Sequence, residues 1–267
     1  NRSEIFLVMV SGMGTIAGSV MGTYIGMLGG TDPAAKVLFA THLLSASVMA
    51  VPGSIVLAKM LCPQTEEATD HVAISGKEKE NSNILDAISS GTVTGVKLMT
   101  NIAAMLLVFI SLVALANYIT EGVIGRYTGL NDWIVKITDG KAQGLTFQFI
   151  LGVITSPFMW LIGVPSQDIM LVGSLLGQKT ILNEFVAYFQ LQQWKDAGLF
   201  MYEKSILMST YILCGFANIS SIGILLGGLG VLAPEKRGLI SRIGVPAMIG
   251  GALVSVLSAT IIGMILG

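Results

Sequence analysis

Gly215-Phe216-Ala217-Asn218-Ile219-Ser220-Ser221-Ile222-Gly223 sets small and polar residues in the middle of an otherwise apolar span. Hydrocarbon has no water to satisfy a bare backbone group or an amide side chain, so a break of this kind at membrane depth is compatible with few folds. It must be buried in protein or line a cavity, and the usual reason for retaining it is a binding site. The membrane assignment rests on composition: 53% of residues are hydrophobic, 12% are charged, 32 are glycine, and the mean hydropathy is +0.77. A soluble domain is far less apolar. The 267 residues hold several spans, each needing roughly 20 residues to cross a hydrocarbon core. A net charge of −1 gives no footprint for nucleic acid. Cys62 and Cys214 have neither metal-ligand nor redox-pair spacing and read as structural residues.

Apolar runs and their breakers divide the chain. Residues 1–62 read as a broken span over about 4–28, a turn at Gly29-Gly30-Thr31-Asp32-Pro33, and a second span starting at Pro33. Residues 63–98 read as a polar loop, with Glu66, Glu67, Asp70, Lys77, Glu78, Lys79 and Glu80, followed by a short amphipathic helix over 86–97. A full span occupies 99–119, and 120–165 read as a loop and an interfacial helix containing Pro157. At 166–194, Ser166 is the expected cap of two short helical halves flanking a polar tip. Neither half is long enough to cross alone, which is the pattern of a re-entrant hairpin with its tip inside protein. A second broken span covers 203–232, interrupted at 215–221, and the last span covers 236–267. The opening Asn1-Arg2-Ser3-Glu4, without an initiator Met, reads as a piece of a longer protein.

The two broken spans echo each other. Gly12-Met13-Gly14-Thr15-Ile16 aligns with Gly215-Phe216-Ala217-Asn218-Ile219, and proline turns follow at Pro33 and Pro234. The offsets, 218 − 15 = 203 and 234 − 33 = 201, nearly agree; chance likeness among glycine-rich helices is the competing explanation. Counting crossings, with the hairpin adding none, makes the two units inverted. The expected fold is therefore an all-α integral membrane, inverted-repeat secondary transporter with discontinuous helices and a re-entrant hairpin. The basic turn holding Lys236, Arg237 and Arg242 is assigned to the cytoplasm by the positive-inside rule, which puts the C-terminus outside.

The polar residues at the breaks carry the candidate chemistry. Glu184, at the hairpin tip, either pairs with Lys179 or accepts hydrogen bonds from hydroxyls. Asn218 and Ser221 either hold a polyhydroxylated ligand or pack one helix on another. Phe216 is a core residue or a stacking platform beside the break. Thr15 to Ser19 offers hydroxyls and loosened carbonyls suited to a hard monovalent cation, against a plain packing role for Gly12, Gly14, Gly18 and Gly22. His42 and His71 are isolated, and Asp168 reads as a helix-start charge. No nucleophile and base pair, phosphate loop or metal cluster is apparent, so an enzyme is not expected.

Gly14-Thr15-Ile16-Ala17-Gly18-Ser19-Val20, Leu182-Asn183-Glu184-Phe185-Val186-Ala187-Tyr188 and Cys214-Gly215-Phe216-Ala217-Asn218-Ile219-Ser220-Ser221-Ile222-Gly223 together resemble the concentrative nucleoside transporters. The resemblance covers essentially the whole chain. It implies that Glu184, Asn218 and Ser221 hold the ribose, that Phe216 lines the substrate site, and that Ser19 and Val20 help bind sodium. It implies a homotrimer in the plasma membrane, with an elevator-like transport domain moving against a scaffold that includes the span from Met99. It also implies a further re-entrant hairpin ahead of the first broken span, with a base-contacting motif and an Asn sodium ligand; this chain would then hold the ribose half of the site and part of the ion site. The function so implied is cation-coupled nucleoside uptake, with sodium as the coupling ion and protons as the rival. A transporter for another small polar solute is the alternative within the class. Of the competing classes, a channel would need a continuous polar stripe instead of polarity concentrated at three breaks, and an intramembrane enzyme would need a nucleophile or metal set.

Overall fold

The computed structural model describes residues 1–66, 83–138, 140 and 142–267. The acidic and basic residues expected in the loop at 67–82, together with His71 and Lys141, lie outside the described residues. Every regular element among the described residues is helical. In chain order the first are α1 (Arg2–Gly14), α2 (Gly18–Gly29) and α3 (Pro33–Leu61). Next come α4 (Ile84–Asn117), a π-helical segment (Tyr118–Gly125), α5 (Arg126–Thr128), α6 (Leu130–Ile137) and α7 (Phe147–Leu161). The remainder is α8 (Ile169–Ile181), α9 (Glu184–Asp196), α10 (Glu203–Leu213), α11 (Ile219–Leu232) and α12 (Arg237–Ile265).

Local chemistry sets most of these boundaries. Asp32 caps α3 by accepting from the Ala34 and Ala35 N–H groups, and Pro33 then occupies the first helical position, where its missing N–H costs nothing. Asn83, Thr146 and Asn183 cap α4, α7 and α9 in the same way. Three stretches among the described residues are long and apolar enough to cross a membrane: Arg2–Gly29, Pro33–Leu61 and Pro234–Ile265.

Three boundaries differ from the expectation. The short helix at 86–97 and the span at 99–119 form one helix, because no breaker separates them and Asn83 caps the whole. The stretch taken as loop after 120 is helical as far as Ile137, with a single left-handed residue, Gly129, between α5 and α6. Ser166 does not cap the hairpin: α8 starts after Asp168, whose carboxylate accepts from the Met201 and Tyr202 N–H groups. Asp168 is fully buried and ties the start of the hairpin to the start of α10, which a helix-start charge on the surface would not do.

Packing centres on α12, which lies against α1, α3, α10 and α11. Glycine makes the closest approach possible: a Cβ on Gly251 would lie 2.7 Å from that of Met13, and one on Gly250 would lie 2.8 Å from Val10 Cγ2. Apolar side chains gain little from helix association in lipid, so backbone proximity of this kind supplies the dispersion contacts that do. Two cores result. One gathers Tyr24, Leu43, Leu175, Tyr188, Tyr211 and Ala259 around the hairpin, and the other gathers Phe6, Met9, Met13, Ala217, Ala247 and Val254 around the breaks.

Candidate functional site

The two broken spans meet at their breaks. The first is non-helical over 15–17 and the second over 214–218. The second break is shorter than the expected 215–221, because Ser220 and Ser221 already belong to α11. A Cβ on Gly215 would lie 2.5 Å from Ser255 Oγ and 3.1 Å from the Gly14 carbonyl oxygen, so this glycine is where the two breaks touch. The glycine-packing role fits Gly14, whose Cβ would meet Ser54 Oγ at 3.1 Å. Gly18 and Gly22 have open space around them.

The hairpin tip comes down on this crossing. Gln178, Lys179 and Glu184 are buried at 1%, 0% and 5% exposure, so the most polar stretch of α8 and α9 is inside protein. Asn218 Nδ2 donates to Glu184 Oε2 at 3.0 Å, linking the second break directly to the hairpin. Tyr24 OH approaches Glu184 Oε1 at 3.5 Å and its ring stacks on Tyr188 at 4.0 Å between centroids, bringing α2 of the first repeat to the same carboxylate.

Asn218 and Ser221 owe their positions to helix capping. Asn218 Oδ1 accepts from the Ser221 N–H at 2.9 Å and from Ser220 Oγ at 2.6 Å. Ser221 Oγ accepts from the Asn218 N–H at 3.2 Å and donates to the Asn218 carbonyl at 2.6 Å. This reciprocal box starts α11 and satisfies its first donors inside the bilayer. It also aims the one free arm of the Asn218 amide, Nδ2, at Glu184.

The alternative pairing of Glu184 with Lys179 is not adopted. Lys179 Nζ donates to the Ile212 carbonyl at 2.8 Å and to Ser255 Oγ at 3.1 Å, while Ser255 Oγ donates to the Cys214 carbonyl at 3.0 Å.

A cavity of about 310 Å³ opens beside these contacts, lined by Gly12, Thr15, Ile16, Ala17, Val20, Glu184, Gly215 and Phe216. Of the expected site residues, Glu184, Phe216 and Val20 face it. Asn218 reaches it through Glu184, and Ser221 lies behind Asn218. Ser19 is exposed and outside the lining, one residue into α2. Phe216 is half-buried beside the break, as a platform requires. Tyr24 carries no signal in the sequence that separates it from any aromatic in a span, and Lys179, expected as an alternative ion-pair partner of Glu184, is hydrogen-bonded to Ile212 and Ser255 instead.

Comparison with known proteins identifies the family. Residues 42–263 match the family model described as Na+ dependent nucleoside transporter C-terminus. An uncharacterised transporter of Haemophilus influenzae is 39% identical over all of this chain and 59% of its own length. Sodium/nucleoside cotransporter 1 of Rattus norvegicus is 38% identical over 98% of this chain and 39% of its own length. Nucleoside permease NupC of Helicobacter pylori is 36% identical over 99% and 58%. Among solved structures, the transporter CNTnw in an inward-facing substrate-bound state aligns with a TM-score of 0.80 at 36% identity, over 99% of this chain and 57% of that one. An outward-facing form of CNTnw aligns with a TM-score of 0.83 at 35% identity, over 99% and 58%. The chain thus spans about three fifths or less of the length of these relatives. It is a multi-pass membrane protein of all-α transporter fold, not an enzyme, and it belongs to the Na+ dependent nucleoside transporter family.

Proposed function

We propose that the protein to which this chain belongs couples nucleoside uptake to an inward cation gradient, with sodium as the co-transported ion. The observation that carries the reading is the contact between Glu184 and Asn218 at the edge of the cavity. A carboxylate accepts from two hydroxyls at once, and Asn218 Nδ2 adds a donor, so the pair suits the vicinal 2′ and 3′ hydroxyls of a ribose. Substrate would insert its hydroxyls between the hairpin and the second broken span. That exchange of one internal bond for several ligand bonds ties occupancy to the position of the hairpin. Phe216 supplies an apolar face for the rest of the nucleoside.

The ion reading rests on the first break. Among the described residues, no N–H or O–H group donates to the carbonyls of Gly14, Thr15 or Ile16, and Ser19 and Val20 begin the next helix. Oxygens of this kind suit a hard monovalent cation. Elevator-type movement, a homotrimer and an extracytoplasmic C-terminus complete the proposal through the resemblance and the charge of the 236–242 turn.

Uridine uptake by the full-length transporter tests the substrate role. Glu184→Gln should abolish uptake and weaken uridine binding by roughly tenfold or more while the protein still folds, as expected for loss of a charged hydrogen-bond acceptor. Near-normal uptake by the variant would overturn the role. Replacing external sodium with choline tests the ion. Uptake that persists in choline and disappears when the pH gradient is collapsed would establish the proton instead.

A further inference from the structure

Lys179 is the one cation fully buried at the centre of the molecule among the described residues, and its partners are unusual. Removing an ammonium from water costs several kcal/mol unless its donors are well satisfied, and the simplest satisfaction would be a carboxylate. Glu184, five residues away in the chain, is close enough to interact with it through charge but spends its hydrogen bonds on Asn218 and Tyr24. Lys179 is held instead by neutral oxygens, the Ile212 carbonyl at 2.8 Å and Ser255 Oγ at 3.1 Å. Ser255 spends its own proton on the Cys214 carbonyl at 3.0 Å, which fixes it as an acceptor toward the ammonium.

These oxygens lie at the C-terminal end of half-helix α10, where the backbone dipole is negative and the last four carbonyls lack helical partners. At that end Tyr188 OH donates to the Thr210 carbonyl at 2.8 Å, Cys214 N–H donates to that of Tyr211 at 3.1 Å, and Lys179 takes that of Ile212. The matching end of α1 is different. Thr15 Oγ1 donates to the Ser11 carbonyl at 2.9 Å, and among the described residues nothing donates to those of Gly12, Met13 or Gly14 beyond the helix end. The helices also stop out of register. Gly14 plus the repeat offset of 203 gives 217, whereas α10 ends at Leu213, about one turn earlier. The space opened by that turn is where Lys179 enters.

We propose that Lys179 is a built-in cation: its ammonium fills, in the second repeat, a site formed by the Ile212 carbonyl and Ser255 Oγ, the latter oriented by the Cys214 carbonyl, that would otherwise accept an alkali cation. It thereby limits the mobile coupling ions to the first break. The proposal rests on the cation-coupled reading above. Its chemistry is that an alkali cation and an ammonium compete for the same neutral oxygens, the ammonium being permanently tethered.

The test uses the full-length transporter with Lys179→Ser, which leaves space and adds an oxygen, and Lys179→Met, which fills the space with an apolar chain. Thermal melting is followed in sodium chloride and in choline chloride, and uridine binding is titrated against sodium. Lys179→Ser should be markedly less stable than wild type in choline and be restored by sodium, while Lys179→Met should be destabilised in both. Sodium bound per protomer at saturating uridine, counted by equilibrium dialysis, should be about one in wild type and move toward two in Lys179→Ser. Equal stability of Lys179→Ser in the two salts, or failure of sodium to restore it, would overturn the proposal. Two sodium ions per wild-type protomer would also do so, whatever the variants do. Wild-type binding that ignores sodium would refute the sodium reading instead, and sodium-specific restoration of Lys179→Ser would still report on this site.

Discussion

The two breaks solve the same problem in opposite ways. At the second, Asn218 and Ser221 cap α11, Lys179 and Ser255 occupy the carbonyl end of α10, and Gly215 lets the chain pass beside Gly14. At the first, α2 starts at Gly18 behind Ala17, which supplies no side-chain cap, and Ala17, Gly18 and Ser19 are exposed. One break is satisfied by its own protein, and the other presents oxygens and backbone outward. Polar backbone in a membrane must find partners somewhere. The self-satisfied break is therefore suited to hold a fixed geometry for a substrate, and the open one to take partners that come and go.

Substitutions at the two breaks should separate these roles, beginning with the largest effect. Gly215→Ala places a methyl 2.5 Å from Ser255 Oγ and 3.1 Å from the Gly14 carbonyl, and overpacking of this kind costs about 2–3 kcal/mol. Thermal melting of the full-length protein should fall accordingly; an unchanged midpoint would mean that the breaks do not touch as described. Asn218→Ala removes the cap of α11 and strips Glu184 of its amide donor, for a loss of about 2 kcal/mol and of most uridine binding. Retained binding in a melted-down variant would assign Asn218 to capping alone. Tyr24→Phe keeps the stacking on Tyr188 and removes only the long contact to Glu184. It should cost less than about 1 kcal/mol and change uridine affinity a few-fold. Gly18→Ala meets nothing within 4 Å and should alter stability by no more than about 0.5 kcal/mol. A large loss there would show the first break to be as tightly packed as the second.

Much of the architecture was legible because its signals are local. Pro33 and Pro234 mark turns, Asn183 marks the start of the second hairpin helix, and the paired glycine-rich breaks are visible as an echo. Where a local signal is lacking, sequence and structure part: the shift from amphipathic to apolar pattern between Lys97 and Met99 carries no helix breaker, and α4 runs through it. Ser166 has the chemistry of a cap, but the buried contact of Asp168 with Met201 and Tyr202 settles where α8 begins. The candidate site was legible to the level of residue type. Glu184 and Phe216 line the cavity and Asn218 bonds to Glu184, while Ser221 acts on Asn218 and Ser19 stands apart from the cavity.

By itself the sequence determined that this chain is helical and membrane-embedded, where its helices break, and which polar side chains must be housed at depth. Those properties follow from hydropathy and backbone satisfaction, which act over a few residues. Only the tertiary structure decided who satisfies whom. Lys179 had a carboxylate five residues away and took the Ile212 carbonyl of α10 and the Ser255 hydroxyl of α12, and Tyr24 reached the hairpin from the first repeat. Hydrogen-bond partners in a low-dielectric interior are chosen by the relative placement of packed helices, and a one-turn difference in where two half-helices end is enough to redirect a buried charge.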